Sequence, residues 1–442
     1  MNYKTELTPP MNSTTIKLQV YTSYKPSGVE WLGDIPEHWE VLPGLNFIFE
    51  NMDRNKGMKR NTILSLSYGK IRVKNDNELT GLVPESFETY QFVNKGDLIF
   101  RPTDLQNDTV SLRSSISEFD GIITNAYLNL RFKKKADSKF YHYFFRSIDN
   151  NKIIYGLGSG LRQNISYLDF RRFQFPFPPL QEQTAIAKFL DDKTAKIDQA
   201  IVIKQQQIDL LKQRRQILIH KAVTQGINPN VKLKDSGVEW IGMIAEHWEV
   251  TKLKNTGKLI NGATPSSTIL NFWDGDITWV TPSDINNVFI IDNSERLISK
   301  AGYKSCGTTM VPKGSLILTT RAPIGKIVIA GKELCTNQGC KSLVLNKDFI
   351  SDYLYYQISI CSDILNSLGT GTTFMELSNK ALKNFLLVIP TKKEQIEISN
   401  YIENATDKIA KVISLKEQEI EKLKQYKSSL IDGVVTGKVK IN

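Results

Sequence analysis

The chain has 442 residues, too many for one ordinary hydrophobic core, so about two to four domains are expected. A content of 40% hydrophobic and 23% charged residues excludes a disordered polyelectrolyte, and the sequence holds no apolar run of about 18 residues that could cross a membrane as a helix. The formal net charge of +11 favours a polyanionic partner, because each Lys or Arg at a phosphate releases condensed counterions.

Residues 1–20 are polar and Thr-rich and lack the apolar core of a secretory signal, so a cytoplasmic protein is expected. Residues 1–24 read as an N-terminal tail. Beyond them the chain repeats itself: KPSGVEWLGDIPEHWEV at 25–41 returns as KDSGVEWIGMIAEHWEV at 234–250. The pair at 182–224 and 394–436 repeats too, opening EQTAIAKFL and EQIEISNYI and closing KAVT and GVVT. Weaker echoes keep the same order between them: Val93 to Gly96 with Val311 to Gly314, Thr124-Asn125 with Thr336-Asn337, and Gly158 to Gly160 with Gly369 to Gly371. The unit is a tandem duplication of about 210 residues, far above the period of solenoids, so each copy is a domain plus an appendage.

In the first copy, β-like runs fall at 97–100, 122–124 and 127–132, and a helix-like run at 138–147. Lys70 and Arg72 follow Tyr68; Arg101 follows a strand; Arg162, Gln163 and Asn164 follow a Gly-Ser-Gly turn. Arg, Gln and Asn are the side chains with bidentate geometry for guanine and adenine edges. Each of these candidates, taken singly, reads first as a solvated surface group; as a set on a basic, duplicated frame they point to base readout. Pro178-Pro179 ends the domain. A long helix follows, with Leu190, Ile197, Lys204, Leu211 and Leu218 on one heptad row and Thr194, Ile201, Ile208, Arg215 and Ala222 on the other, closing at Gly226.

The second copy has β-like runs at 315–319, 326–330 and 342–345 and a helix-like run at 350–365. Its candidate reading residues are Ser283 and Asp284, with Asn286 in the same turn, and Arg321, Thr372 and Thr373. Pro390 precedes a second heptad helix: Ile402, Ile409, Lys416, Leu423 and Leu430, with Thr406, Ile413, Ile420, Lys427 and Val434, closing at Gly437. A lone helix with an apolar seam is unstable, so the two are expected to pair. The fold class is α+β: two pseudo-two-fold-related globular domains joined by two long antiparallel coiled-coil helices, with a strongly bent sheet in each domain. The divisions are 25–178, 179–233 (central helix), 234–390 and 391–442 (C-terminal helix).

Cys306, Cys335, Cys340 and Cys361 form no C-x-x-C pair and no finger-spaced set with histidine, so no metal site is expected. His38 and His247 share one place in the two EHWE copies, which points to a common structural role. There is no phosphate-binding Gly-rich loop ending in Lys-Ser or Lys-Thr. Neither Pro9-Pro10 nor Pro178-Pro179 has the neighbours an amino-methyltransferase loop requires, and Asp137-Ser-Lys139 lacks the paired carboxylate of a nuclease metal site. No catalytic residue is assigned.

SGVEWLGDIPEHWEV, SGVEWIGMIAEHWEV, FQFPFPPLQEQ at 173–183 with its heptad helix and Ala-Val-Thr end, WVTPSD at 279–284 and TTRAPIG at 319–325 together resemble the specificity subunits of type I restriction-modification systems. The resemblance runs from Lys25 to Lys440. The second junction departs from it, with Ile389-Pro390-Thr391-Lys392-Lys393 in place of the double proline and leucine. The resemblance implies two target-recognition domains reading an asymmetric bipartite site in double-stranded DNA, with the helical pair setting the gap. It implies two methyltransferase (modification) subunits and motor-nuclease (restriction) subunits as partners. These would carry S-adenosylmethionine, ATP and magnesium; this chain would bind no cofactor itself and no membrane. Two other readings stay open here: a stand-alone DNA-binding protein acting without a methylase, and an architectural coiled-coil protein whose globular ends bind protein. Steep salt dependence of DNA binding separates the last from the others.

Overall fold

The computed structural model describes residues 19–67, 69–75, 86–105, 112–157, 164–286, 288–371 and 375–441. The chain divides into two compact units, Met1–Gln205 with Lys416–Asn442, and Gln206–Leu415. Helices α1 (Ser138–Asn150), α2 (Tyr167–Arg172) and the long α3 (Leu180–Gln225) are followed by α4 (Lys300–Ser305), α5 (Ser351–Ser359), α6 (Ser362–Ser367), α7 (Asn379–Lys383) and the long α8 (Lys392–Val435). Among the described residues no helix is long and apolar enough to cross a membrane.

In unit 1 the central sheet runs Ile48–Glu50, Leu128–Phe132, Leu98–Phe100, Ser114–Ile116, every neighbour antiparallel. Unit 2 has the same four strands in the same order, Gly257–Asn261, Cys340–Leu345, Leu316–Thr319 and Ile327–Ala330, with Ile290–Ile291 added in parallel at the edge. The six β-like runs read from the sequence all lie on strands. The expected single bent sheet is instead several: small two- and three-stranded sheets accompany the central one, and isolated bridges such as Ile63 with Ile122 and Val311 with Leu334 extend the pairing outside the named strands. The helix-like run at 350–365 is two helices, because the chain breaks at Ile360 and Cys361 between α5 and α6.

Each unit is closed by the same joint. Glu40–Pro43 pairs with Gln174–Phe177 in unit 1, and Glu249–Lys252 with Leu386–Ile389 in unit 2. Trp31 stacks on Phe173 at 5.5 Å, and Trp240 on Phe385 at 5.3 Å. Proline then ends the strand and a buried glutamine locks the helix that follows. Gln183 accepts from Asp137 N at 2.8 Å and donates to Pro178 O at 2.8 Å; Gln395 accepts from Ile350 N at 2.9 Å and donates to Pro390 O at 3.1 Å. The altered second junction therefore keeps the geometry of the first. It adds its own cap, with the Thr391 hydroxyl and N–H both donating to the Glu394 carboxylate.

The heptad rows form the buried seam. In unit 1, Leu190 and Ile197 of α3 join Leu423, Leu430 and Val434 of α8 in one aromatic-rich core with Phe140, Phe144 and Phe175. The run is antiparallel there: Asp198 meets Lys427 at 2.7 Å, and further along α3 Lys204 meets Glu419, earlier in α8, at 2.6 Å. In unit 2, Ile219, Ala222 and Val223 of α3 and Ile398 and Ile402 of α8 share a core with Tyr353 and Leu354. Arg215, placed in the seam by heptad counting, stands exposed, and Ile219 takes the core position where α3 packs on the globular part.

Gly226 and Gly437 close the long helices at φ +81° and +75°, the left-handed conformation expected of a C-terminal glycine. A Cβ on Gly437 would collide with the Pro36 ring, one on Gly226 would press the Trp248 ring at 3.2 Å, and one on Gly237 (φ +70°) would meet nothing. Alanine at each position costs about 1–2 kcal/mol from the left-handed backbone alone. The melting temperatures of the three variants should therefore fall in the order Gly237→Ala smallest, Gly226→Ala larger, Gly437→Ala largest. Equal drops would show that the joint against Pro36 and Trp39 is not tightly packed.

Burial raises the thiols of Cys335 to about 11 and of Cys340 and Cys361 to about 12, whereas Cys306 is partly exposed. An alkylating reagent at pH 8 should modify Cys306 first and the other three only after denaturation, read by mass spectrometry.

Candidate nucleic-acid interface

The described candidates of unit 2, Ser283, Asp284 and Arg321, lie in two loops that follow strands Trp273–Val280 and Leu316–Thr319. Strand Trp273–Val280 carries two buried tryptophans whose indoles donate to Ser266 O and Ala263 O, and Arg296 lies 3.7 Å above the Trp273 ring. The chain then turns sharply. The Asp284 carboxylate accepts from Thr281 N at 2.7 Å, Thr281 Oγ1 at 2.6 Å and Glu295 N at 2.8 Å, while Ile285 is buried beneath. Both Asp284 oxygens are thus engaged in shaping the loop, which holds Ser283 and Asn286 outward, Asn286 donating to Ser283 O at 2.6 Å.

Facing this turn is the loop after strand Leu316–Thr319, where Thr319 Oγ1 accepts from Lys326 N and donates to Pro323 O. Together the two segments enclose a concave pocket of about 560 Å³ lined by Ser283, Asp284, Asn286, Arg296, Pro323 and Lys326, among others. Arg321 stands beside it, exposed and bonded through Nε to Glu376 at 3.1 Å. Lys341 lies near the same pair; burial, opposed by Glu376 and assisted by Arg321, holds its ammonium below the usual range. Thr372 and Thr373 lie outside the described residues.

In unit 1 the corresponding stretch is a hairpin, Leu64–Ser67 with Lys70–Val73. Ile71 points into the core, so the alternation of a strand sends Lys70 and Arg72 to solvent. Tyr68 lies outside the described residues, as do Arg162 and Gln163. Arg101 is half-buried just after strand Leu98–Phe100. Asn164 is exposed and accepts from Asp104 N at 3.2 Å, which ties its segment to the loop of Arg101. Hence the structure brings Arg101 and Asn164 together in unit 1, and Ser283 and Asp284 with the Arg321 loop in unit 2.

Two residues of this region were not singled out from the sequence. Arg113 is fully buried and donates to Thr103 O at 2.7 Å, Asp104 O at 3.1 Å and Arg101 O at 3.4 Å. Lys326 lines the pocket of unit 2 with Asn286. An isolated arginine between Leu112 and Ser114 carries no sequence signal of burial; Lys326 sits close after Arg321, and proximity was the available hint.

The histidines do structural work. His38 Nε2 meets Glu182 at 2.8 Å and His247 Nε2 meets Glu394 at 2.8 Å, each fastening an EHWE motif to the first turn of a long helix. Burial works against the Glu394 carboxylate, yet its bonds from Thr391, His247 and Trp248 together hold it below the usual carboxylate range. Burial lowers His142 to about 3, with Arg146 and Lys139 adding to the effect. Among the described residues no group of three or more His, Cys, Asp or Glu is placed to hold a metal ion. What the interface offers is a set of cations, amides and hydroxyls on stiff loops: hydrogen-bonding groups for recognition.

The family model described as the type I restriction modification DNA specificity domain matches residues 67–213 and 245–425. The chain is similar to the type I restriction enzyme MjaIX specificity subunit of Methanocaldococcus jannaschii, 38% identical over 173 residues, which are 38% of this chain and 40% of that protein. It is also similar to the putative type I restriction enzyme MjaX specificity subunit of the same organism, 24% identical over 427 residues, covering 93% of this chain and 96% of that one. Among solved structures, a chain from a study of complex assembly and conformational transition of the type I R-M system aligns with a TM-score of 0.70 at 15% identity, covering 91% of this chain and 98% of its own. The HsdS subunit from Thermoanaerobacter tengcongensis aligns with a TM-score of 0.55 at 15% identity over the same shares, and at that identity both show likeness of fold. The chain belongs to the type I restriction-modification DNA specificity family, and it carries that family's domain in two matched stretches.

Proposed function

We propose that this chain reads DNA for a type I restriction-modification complex, binding an asymmetric bipartite site with one unit on each half. The observation that carries this reading is the contrast between frame and interior. The frame repeats its main contacts: Gln183 with Gln395, His38 with His247, Trp31–Phe173 with Trp240–Phe385. The interiors differ, a Lys70/Arg72 hairpin in one unit and a pocketed loop in the other. A repeated frame suits two copies of one partner; divergent interiors suit two different half-sites, whereas a symmetric reader would meet a palindrome.

The partners on this reading are two methyltransferase subunits and the motor-nuclease subunits, which supply S-adenosylmethionine, ATP and magnesium. Ile203 and Leu415 occupy the same repeat position and are both exposed, at 46% and 58%, outside the buried seam. On this reading the shared position is one of the places where the same partner would dock twice. A cytoplasmic location beside the chromosome goes with this role.

The direct test is a map of methylated bases across the host genome with the gene intact and deleted. Loss of methylation at one two-part asymmetric motif is the expected result; an unchanged map overturns the proposal.

The paired helices are proposed to set the gap between half-sites. Deleting one heptad from each, residues 204–210 and 416–422, keeps the seam in phase and shortens each rod by about 10 Å, or roughly three base pairs. A folded variant should lose the original gap while keeping each half-site preference. An unchanged gap would show that the helices are not the spacer.

A further inference from the structure

The central sheets of the two units share a register, and it places two cations at one position. In unit 1, Phe100 pairs with Ser114 and Arg101 N donates to Arg113 O at 2.7 Å. In unit 2, Leu318 pairs with Ile327 and Thr319 N donates to Lys326 O at 2.9 Å. Arg113 and Lys326 therefore both stand one residue before the fourth strand of the shared order, Ser114–Ile116 or Ile327–Ala330, opposite the end of the third.

Their surroundings send them to different tasks. Arg113 is withdrawn from solvent and braces the carbonyls of residues 101, 103 and 104. Lys326 lines the open pocket, and its ammonium meets Asn286 Oδ1 at 3.5 Å, the far limit of a hydrogen bond. Its backbone is fixed on both sides, N–H to Thr319 Oγ1 at 3.0 Å and C=O from Thr319 N. The nearby Asp284 carboxylate is already satisfied by three donors of its own loop. The result is a rigidly based cation in a polar concavity, weakly held by one amide.

We infer that Lys326 reads a guanine in the half-site of unit 2, donating to O6 and N7 in the major groove, with Asn286 as the positioning residue that orients it. Guanine is the base that presents two adjacent acceptors there; adenine pairs an acceptor with a donor, thymine adds a methyl group and cytosine offers a donor. The inference rests on the DNA-reading proposal above.

The test places Lys326→Ala, Lys326→Arg and Asn286→Ala in the chromosomal gene and maps methylated bases for each. With Lys326→Ala, discrimination at one G·C pair in one half of the motif should fall roughly tenfold or more while the other half is unchanged. Lys326→Arg should keep the guanine, since arginine makes the same contact. Asn286→Ala, on an exposed turn, should relax the same pair by a smaller factor, and it decides the matter if Lys326→Ala abolishes methylation altogether. An unaltered motif with Asn286→Ala in that case, an unaltered motif with Lys326→Ala, or sparser methylation of the same motif (the mark of a phosphate contact) overturns the inference. The wild-type gene separates the two claims: if it directs no bipartite motif, the DNA-reading proposal itself falls.

Discussion

Everything in this chain hangs on a buried amide at the start of each long helix. Gln183 and Gln395 are 0% and 1% exposed, and each has its carbonyl oxygen and its NH2 group in protein hydrogen bonds. Removing such a side chain strands a backbone N–H and a proline carbonyl in the interior, at about 1–3 kcal/mol for each unsatisfied group. The bond ties three things at one point: the strand that closes the domain, the segment that opens α1 or α5, and the helix that leaves. The direction of the helix is thereby coupled to the packing of the domain core. The stacked tryptophan and the histidine–glutamate pair then brace the same joint from the side.

Given that joint, the loops carrying the reading residues are free to differ. They stand at the far ends of strands whose middles are buried, as with Leu98–Phe100 and Leu316–Thr319. Arg113 and Lys326 show how far divergence can go without touching the frame. The backbone bond at that position is the same in both units, while one side chain turns inward to hold a loop and the other lines a pocket. The first use adds rigidity and the second adds a donor.

Much of this was legible in the sequence because the repeat is dense in residues with single uses: proline that stops a strand, glycine that ends a helix, apolar residues seven apart. The heptad rows placed Lys204 and Lys427 in the helical seam, and they meet Glu419 and Asp198 there, partners the rows did not name. Strand Trp273–Val280 was not legible. Asp274 at φ +55° and a bulge before Ile277 interrupt its alternation, so the run WDGD reads as a turn. Nor could heptad counting tell that Arg215 would face outward, because the core it meets there belongs to residues distant in sequence. Of the reading candidates, the sequence pointed to turns and strand ends but not to the task of each side chain. Asp284 and Ser283 look alike as polar residues in a turn, yet one shapes the loop and the other is presented by it.

That distinction bears on how a positive chain can be selective. A net charge of +11 favours any duplex and chooses none, because phosphate contacts are the same along every sequence. Selectivity needs donors and acceptors held still against the base edges, so that a wrong base leaves a group unpaired. Loops achieve this when some of their own polar groups are consumed internally, as the Asp284 carboxylate and the Arg113 guanidinium are, each bonded to loop backbone. The internal bonds fix where the few displayed groups stand, and the frame fixes where the loops stand. Because the two sets of bonds share no residue, the loops can change without loosening the joint that carries them.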